Sequence, residues 1–233
     1  MSMTRRQMLL AGLGLLVGGC TSTGARLTDR PRTTWPTDTS APRDAGRAVE
    51  PAVPAPPAER GPAGPLDAIA RQKWASRGAV RGRVNAMDGI NRITVHHEGW
   101  TPVWFTDYQR TAKRIEHDRH IHVDDRGWGD IGYHYIIDRA GRVWEGRDLR
   151  YQGAHVSEHN EHNLGIMCLG NFDRQKPTEA QLRTLIDTLQ TLRKTYSVPV
   201  SRIYTHQELT PTRCPGSNLQ PRMVSIRERG YLA

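Results

Sequence analysis

Two stretches carry residues that could do chemistry together. In Arg92-Ile93-Thr94-Val95-His96-His97-Glu98-Gly99 a β-branched run ends in two histidines and a glycine. Far downstream another apolar run delivers His206, and Cys214 follows eight positions later, just before Pro215-Gly216. Two imidazoles and a thiolate would make a good face for zinc. That ion binds nitrogen and sulfur tetrahedrally and turns catalytic when water takes the fourth position. Side chains alternate along a strand, so only one of His96 and His97 can readily join such a face. Parity groups His97 with Ile93 and Val95, and His96 with Thr94, and leaves the choice open.

The other histidines dilute the signal, since the chain has ten. His117, His120 and His122 end a polar helical stretch and are expected at the surface. His159 and His162 lie in an asparagine-rich loop, where hydrogen bonding is the plainer explanation. No H-E-x-x-H helix supports a thermolysin-like protease. No G-x-S-x-G elbow supports a serine hydrolase. Cys168, in Leu164-Gly-Ile-Met-Cys-Leu-Gly170, reads as a small buried hydrophobe, which leaves Cys214 a free thiol.

The elements that must position these groups follow from periodicity. Arg92 to His97 reads as a half-buried strand, and Thr106 to about His120 as a helix with Tyr108, Ala112 and Ile115 on one face. Gly132 to Asp138 and Arg142 to Glu145 read as two strands of a hairpin turning at Ala140-Gly141. Thr178 and Gln181 form a capping-box pattern ahead of Leu182, Leu185, Ile186, Leu189 and Leu192, one long amphipathic helix. Pro199 stops it, Val200 to Tyr204 is a further strand, and a short helix closes the chain within Pro221 to Gly230. Leu66 to Trp74 is a lead-in helix or arm anchored by Trp74. Strands and helices interleave, so the expected class is α/β (α+β): a central mixed sheet flanked by helices.

Ahead of this domain (66–233) the chain changes character. Arg5-Arg6, a short apolar run and Gly18-Gly19-Cys20 describe an export signal over residues 1–20. Its paired arginines resemble a twin-arginine signal, and its end a lipoprotein cleavage box before Cys20. Acyl chains there would anchor the chain at about 0.8 kcal/mol per buried CH₂. Thr21 rather than Asp after that cysteine resembles sorting to the outer membrane, facing the periplasm. Residues 21–65, rich in Pro and Ala, hold too few large apolar residues to fold and read as a tether. The formal charge of +9 raises the question of nucleic acid. Its arginines are scattered, though, and part of the excess lies in leader and tether, so an anionic envelope suits it better and no nucleic-acid partner is expected.

Taken in order, Val95-His96-His97, Gly129-Asp-Ile-Gly-Tyr133-His-Tyr, Gly141-Arg-Val-Trp-Glu-Gly-Arg147, Gly153-Ala-His155, Asn163-Leu-Gly-Ile and the His206–Cys214 stretch resemble the zinc N-acetylmuramoyl-L-alanine amidases. Phage amidases and animal peptidoglycan recognition proteins share that fold. The resemblance implies His96, His206 and Cys214 as zinc ligands and Tyr133 beside the metal's water. Thr212 falls where phage enzymes have lysine and others often threonine. His155 is implied as a groove residue, with a structural hydrogen bond as its plain alternative. Gly127-Trp128 with Arg147 resembles the set that favours diaminopimelate in the stem peptide, a carboxylate-binding task suited to an arginine fork. Implied is a monomeric amidase cutting the bond between N-acetylmuramic acid and L-alanine in peptidoglycan or muropeptides. The alternative is a non-catalytic peptidoglycan-binding lipoprotein, which typically lacks the cysteine. The proton donor to the leaving amine is not settled: Glu98 is a candidate, or else a solvated loop residue.

Overall fold

A computed structural model describes residues 64–232. The export signal, Cys20 and all but the last two residues of the tether lie outside the described residues. Among those described, no helix is long and apolar enough to cross a membrane.

Five strands form one mixed sheet: β1 (Arg92–His97), β2 (Tyr135–Ile137), β3 (Val143–Glu145), β4 (Asn163–Cys168) and β5 (Ile203–Thr205), in the order β3-β2-β4-β1-β5. β1 runs parallel to both β4 and β5, and β2 parallel to β4; only β3 is antiparallel, as the hairpin partner of β2. A strand flanked on both sides and covered on both faces should be apolar throughout. β4 is buried at every position and apolar from Leu164 to Cys168; its first residue, Asn163, is buried with its side chain hydrogen-bonded to Thr94 and the His159 carbonyl.

Period-two alternation then splits the sheet into two cores. Ile93, Val95, Tyr135, Ile137, Leu164, Ile166 and Cys168 face one side, where α2 (Glu179–Thr195) and α3 (Gln220–Glu228) cover them. Ile136 and Met167 face the other, with Trp144, Ile131 and the apolar face of α1 (Tyr108–His120), Ala112 and Ile115. Leu182, Leu185, Leu189 and Leu192 of α2 are buried, each worth about 2 kcal/mol of apolar transfer. The starts of α1 and α2 are capped. The Asp107 side chain accepts from the Arg110 amide at 2.7 Å, and Thr178 and Gln181 complete the expected box.

Three expectations about elements need correction. β2 begins at Tyr135 rather than Gly132, because the Gly132 carbonyl accepts from Ala154 and its amide donates to the His122 ring. Residues Val200–Arg202 form a 3₁₀ turn before β5, so that strand starts at Ile203. The lead-in segment is both helix and arm: Ile69 bridges Trp144, and a 3₁₀ turn over Arg71–Lys73 delivers Trp74 to the core.

Candidate metal centre

β1 ends in two histidines that go to different tasks. His96 shares its face with Thr94 and Met167, while His97 turns to the α2 side, where it packs on Phe172 at 6.1 Å between centroids. Its Nδ1 accepts the Phe172 amide at 3.1 Å. Burial pushes the His97 ring down to about 4, so it is a neutral acceptor with its lone pair already engaged.

His96 is fully buried, and two chain segments reach it from the far end of the sequence. β5 carries His206 to the adjacent position, with ring centroids 4.8 Å apart. The loop after it brings the Cys214 sulfur to 3.6 Å from His96 Nδ1. One donor atom from each of His96, His206 and Cys214 falls within 4.8 Å of the others, and all three residues are buried. The spacing suits a metal. Bonds of roughly 2.05 Å to nitrogen and 2.3 Å to sulfur, at a tetrahedral angle, put those atoms about 3.6 Å apart. Desolvation, reinforced by the neighbouring imidazoles, holds His96 far below the ordinary histidine range, and burial pushes His206 down to about 4. Both rings are therefore neutral donors. Burial raises the Cys214 thiol above its ordinary range, so an ion entering here must displace its proton, as coordination does. The His97 amide points at that sulfur from 3.4 Å and supports its charge.

Tyr133 stands beside this set, its ring centroid 5.1 Å from that of His96. Burial first, then the neighbouring Cys214, raises its phenol well above the ordinary value, so it remains a hydrogen-bond donor. Thr212 is half-buried, and its hydroxyl accepts the Cys214 amide at 3.3 Å. Trp128 stacks on His122, with centroids 4.6 Å apart, and Gly127 turns the preceding loop at a φ of 71°.

Two expected groove residues are engaged elsewhere. Arg147 is buried, and its guanidinium donates to the carbonyls of Ile131, Gln152 and Asp130 at 2.8, 2.6 and 3.0 Å. Its fork holds the loop under Trp128 together. His155 is buried too, with one ring nitrogen on His96 and the other on the Asn163 carbonyl.

His122 corrects the sequence reading most plainly. It is buried, not at the surface: its ring lies between Trp128 and Tyr133, Nδ1 accepts the Gly132 amide at 3.2 Å, and burial lowers it to about 3. A π-helical turn over Ile121–Asp125 follows α1 and rotates it inward. The one hint in the sequence was apolar Ile121 and Val123 on either side. Glu98 is likewise not solvated; it is buried against α1, ion-paired with Arg114 and close to buried Asp118. No other cluster of metal-binding side chains occurs among the described residues.

A mixed sheet with helices on both faces and a two-histidine, one-cysteine centre at the ends of β1 and the edge strand β5 defines a metal-dependent class of domain. The chain belongs to the N-acetylmuramoyl-L-alanine amidase family, whose model matches residues 86–217. It is 35% identical over 152 residues to a human N-acetylmuramoyl-L-alanine amidase, covering 64% of this chain but only 26% of that protein. Peptidoglycan-recognition protein SC2 of Drosophila melanogaster is 27% identical over 152 residues, covering 65% of this chain and 81% of that one. Among solved structures, Drosophila PGRP-LB superimposes with a TM-score of 0.61 at 23% identity, over 71% of this chain and 95% of that one. The endolysin amidase LysCS of Clostridium intestinale gives 0.54 at 25% identity, over 65% and 91%. The chain thus spans about a quarter of the human relative's length and nearly the full length of the compact domains.

Proposed function

We propose that this chain is a zinc-dependent N-acetylmuramoyl-L-alanine amidase, hydrolysing the amide between N-acetylmuramic acid and the L-alanine of the stem peptide. The observation that carries this reading is the convergence of His96, His206 and Cys214 within 4.8 Å in a chain of this family. When bound there, zinc supplies Lewis acidity and a water whose pKa falls to about 7.

The chain's own groups do the rest. His96 and His206 offer neutral lone pairs, and Cys214 a thiolate that lowers the net charge of the centre. As a ligand, that sulfur is not available as a nucleophile. Tyr133, kept protonated by burial, donates to the carbonyl oxygen as it gains charge. The Thr212 hydroxyl accepts from the Cys214 amide, which leaves its own proton for a substrate oxygen. Trp128 offers a flat wall for the muramyl peptide.

A preference for diaminopimelate-type stems is part of the proposal. Gly127 and Trp128 support it by their resemblance to the set that reads this residue, whereas the Arg147 fork is engaged with backbone carbonyls. Arg147 shapes the loop under Trp128, and the cation over the Trp128 ring is Arg126, at 5.1 Å. A complex of recognition proteins LCa and LCx with tracheal cytotoxin, 29% identical to this chain, lends the muropeptide reading support. Export, lipidation at Cys20, a tether over 21–65 and an outer-membrane position facing the periplasm complete it, on the strength of Arg5-Arg6 and Gly18-Gly19-Cys20. Mass analysis of products decides the reaction. Incubated with purified muropeptides, the protein should release intact stem peptide and leave a free lactyl carboxylate on the sugar. Binding without release would instead make it a recognition protein.

A further inference from the structure

The His155 ring has no nitrogen left for a ligand. Its Nε2 lies 3.1 Å from the Asn163 carbonyl oxygen and its Nδ1 3.0 Å from His96 Nε2. A carbonyl can only accept, so His155 Nε2 carries a proton. The neutral ring then presents a bare Nδ1, and the shared hydrogen toward His96 must belong to His96 Nε2. That leaves His96 Nδ1 unprotonated, and Nδ1 is the atom 3.6 Å from the Cys214 sulfur.

The ring is seated for this purpose. A Cβ at Gly153 would lie 2.2 Å from His155 Cδ2, and one at Gly165 2.5 Å from the same atom, so two glycines make the slot that holds it. The His155 amide donates to Asn160 Oδ1 at 2.8 Å, which pins the backbone. The two rings meet edge to face, 4.9 Å apart at 80°.

We propose that His155 is a positioning residue, which fixes His96 as the Nε2-protonated tautomer and aims its Nδ1 lone pair at the metal. This rests on reading His96, His206 and Cys214 as the metal centre. Outer partners that orient a ligating histidine typically change metal affinity about 10- to 100-fold.

The test uses the full chain and two readouts other than turnover. Nitrogen NMR of the metal-free wild type should show His96 protonated at Nε2 and His155 likewise; a His96 protonated at Nδ1 overturns the inference without any variant. Zinc affinity, measured by competition with a chromophoric chelator, should fall about 10- to 100-fold in His155→Phe, which keeps a flat ring but offers no acceptor. His155→Gln, whose amide oxygen can accept from His96, should recover part of the loss. Wild type that binds zinc, with a folded His155→Phe binding as tightly, overturns this inference alone. Wild type that takes up no zinc overturns the metal reading and this inference with it.

Discussion

His96 Nδ1 and Cys214 Sγ lie 3.6 Å apart across 118 residues of chain. Two parallel strands and a loop are folded so that this one approach is made. β1 delivers the histidine, β5 runs beside it and hands the chain to His206, and the loop beyond returns the cysteine.

Removing the sulfur should empty the centre without unfolding the domain. Cys214→Ser replaces a thiolate with a hydroxyl that does not ionise near neutral pH. Zinc affinity and muropeptide hydrolysis should each fall by at least about 100-fold, while thermal stability of the metal-free protein stays close to wild type. Normal zinc content with retained turnover in this variant would show the ligand assignment wrong.

Tyr133→Phe separates binding of the metal from use of it. Loss of one donor to a developing oxyanion costs about 10²- to 10³-fold in kcat. Zinc stoichiometry and KM should change little, because the ring stays packed on His96 and His122. A variant with wild-type kcat would remove Tyr133 from the chemistry.

Arg114 is the cation that allows two acids to be buried beneath α1. It pairs with Glu98 and lies 3.8 Å from Asp118, and burial raises both carboxyls above their ordinary values. Arg114→Ala strips the counter-charge and should cost about 3 kcal/mol at pH 8. Acids with raised folded-state pKa values favour the folded state below their unfolded values and lose that contribution as pH rises. The deficit should therefore shrink towards pH 5, and an unfolding series in denaturant at the two pH values would show it. An equal loss at both would contradict a buried ionised pair.

Acid should destabilise the fold through histidines that are not metal ligands. Burial holds His122 at about 3 and His134 at about 4, against 6.5 when unfolded. Folded pKa values below the unfolded one mean that this contribution is whole above pH 6.5. It is lost as pH falls towards 4 and 3, at about 1.4 kcal/mol per pH unit per histidine. The melting temperature of the metal-free protein should decline below about pH 6.5, with a shallower slope in His134→Gln. Identical slopes in the two proteins would show that His134 is not buried neutral.

Much of this was legible in the sequence, and the misses share one cause. Period two in Arg92–His97 gave β1 and the opposed faces of its two histidines, and Thr178 with Gln181 gave the start of α2, because both signals are local. Which histidine meets Cys214 is not local; it depends on where β5 and the following loop arrive. His122 was misread because a single π turn after α1 shifts the helical phase, and charged neighbours hide the change. Arg147 was read as a groove residue because its type suits a ligand, and His155 as a groove residue with a structural hydrogen bond as the plain alternative, which is the one it makes. Their donors are in fact taken by carbonyls of Asp130, Ile131, Gln152 and Asn163, partners that a sequence does not display.

The most direct test is a zinc titration of the metal-free protein, with release of stem peptide from a defined muropeptide as the readout. Activity should rise linearly and level off at about one zinc per chain, with Cys214→Ser giving no rise. Undiminished hydrolysis in the metal-free protein, or a plateau unaffected by Cys214→Ser, would contradict a reaction run at His96, His206 and Cys214.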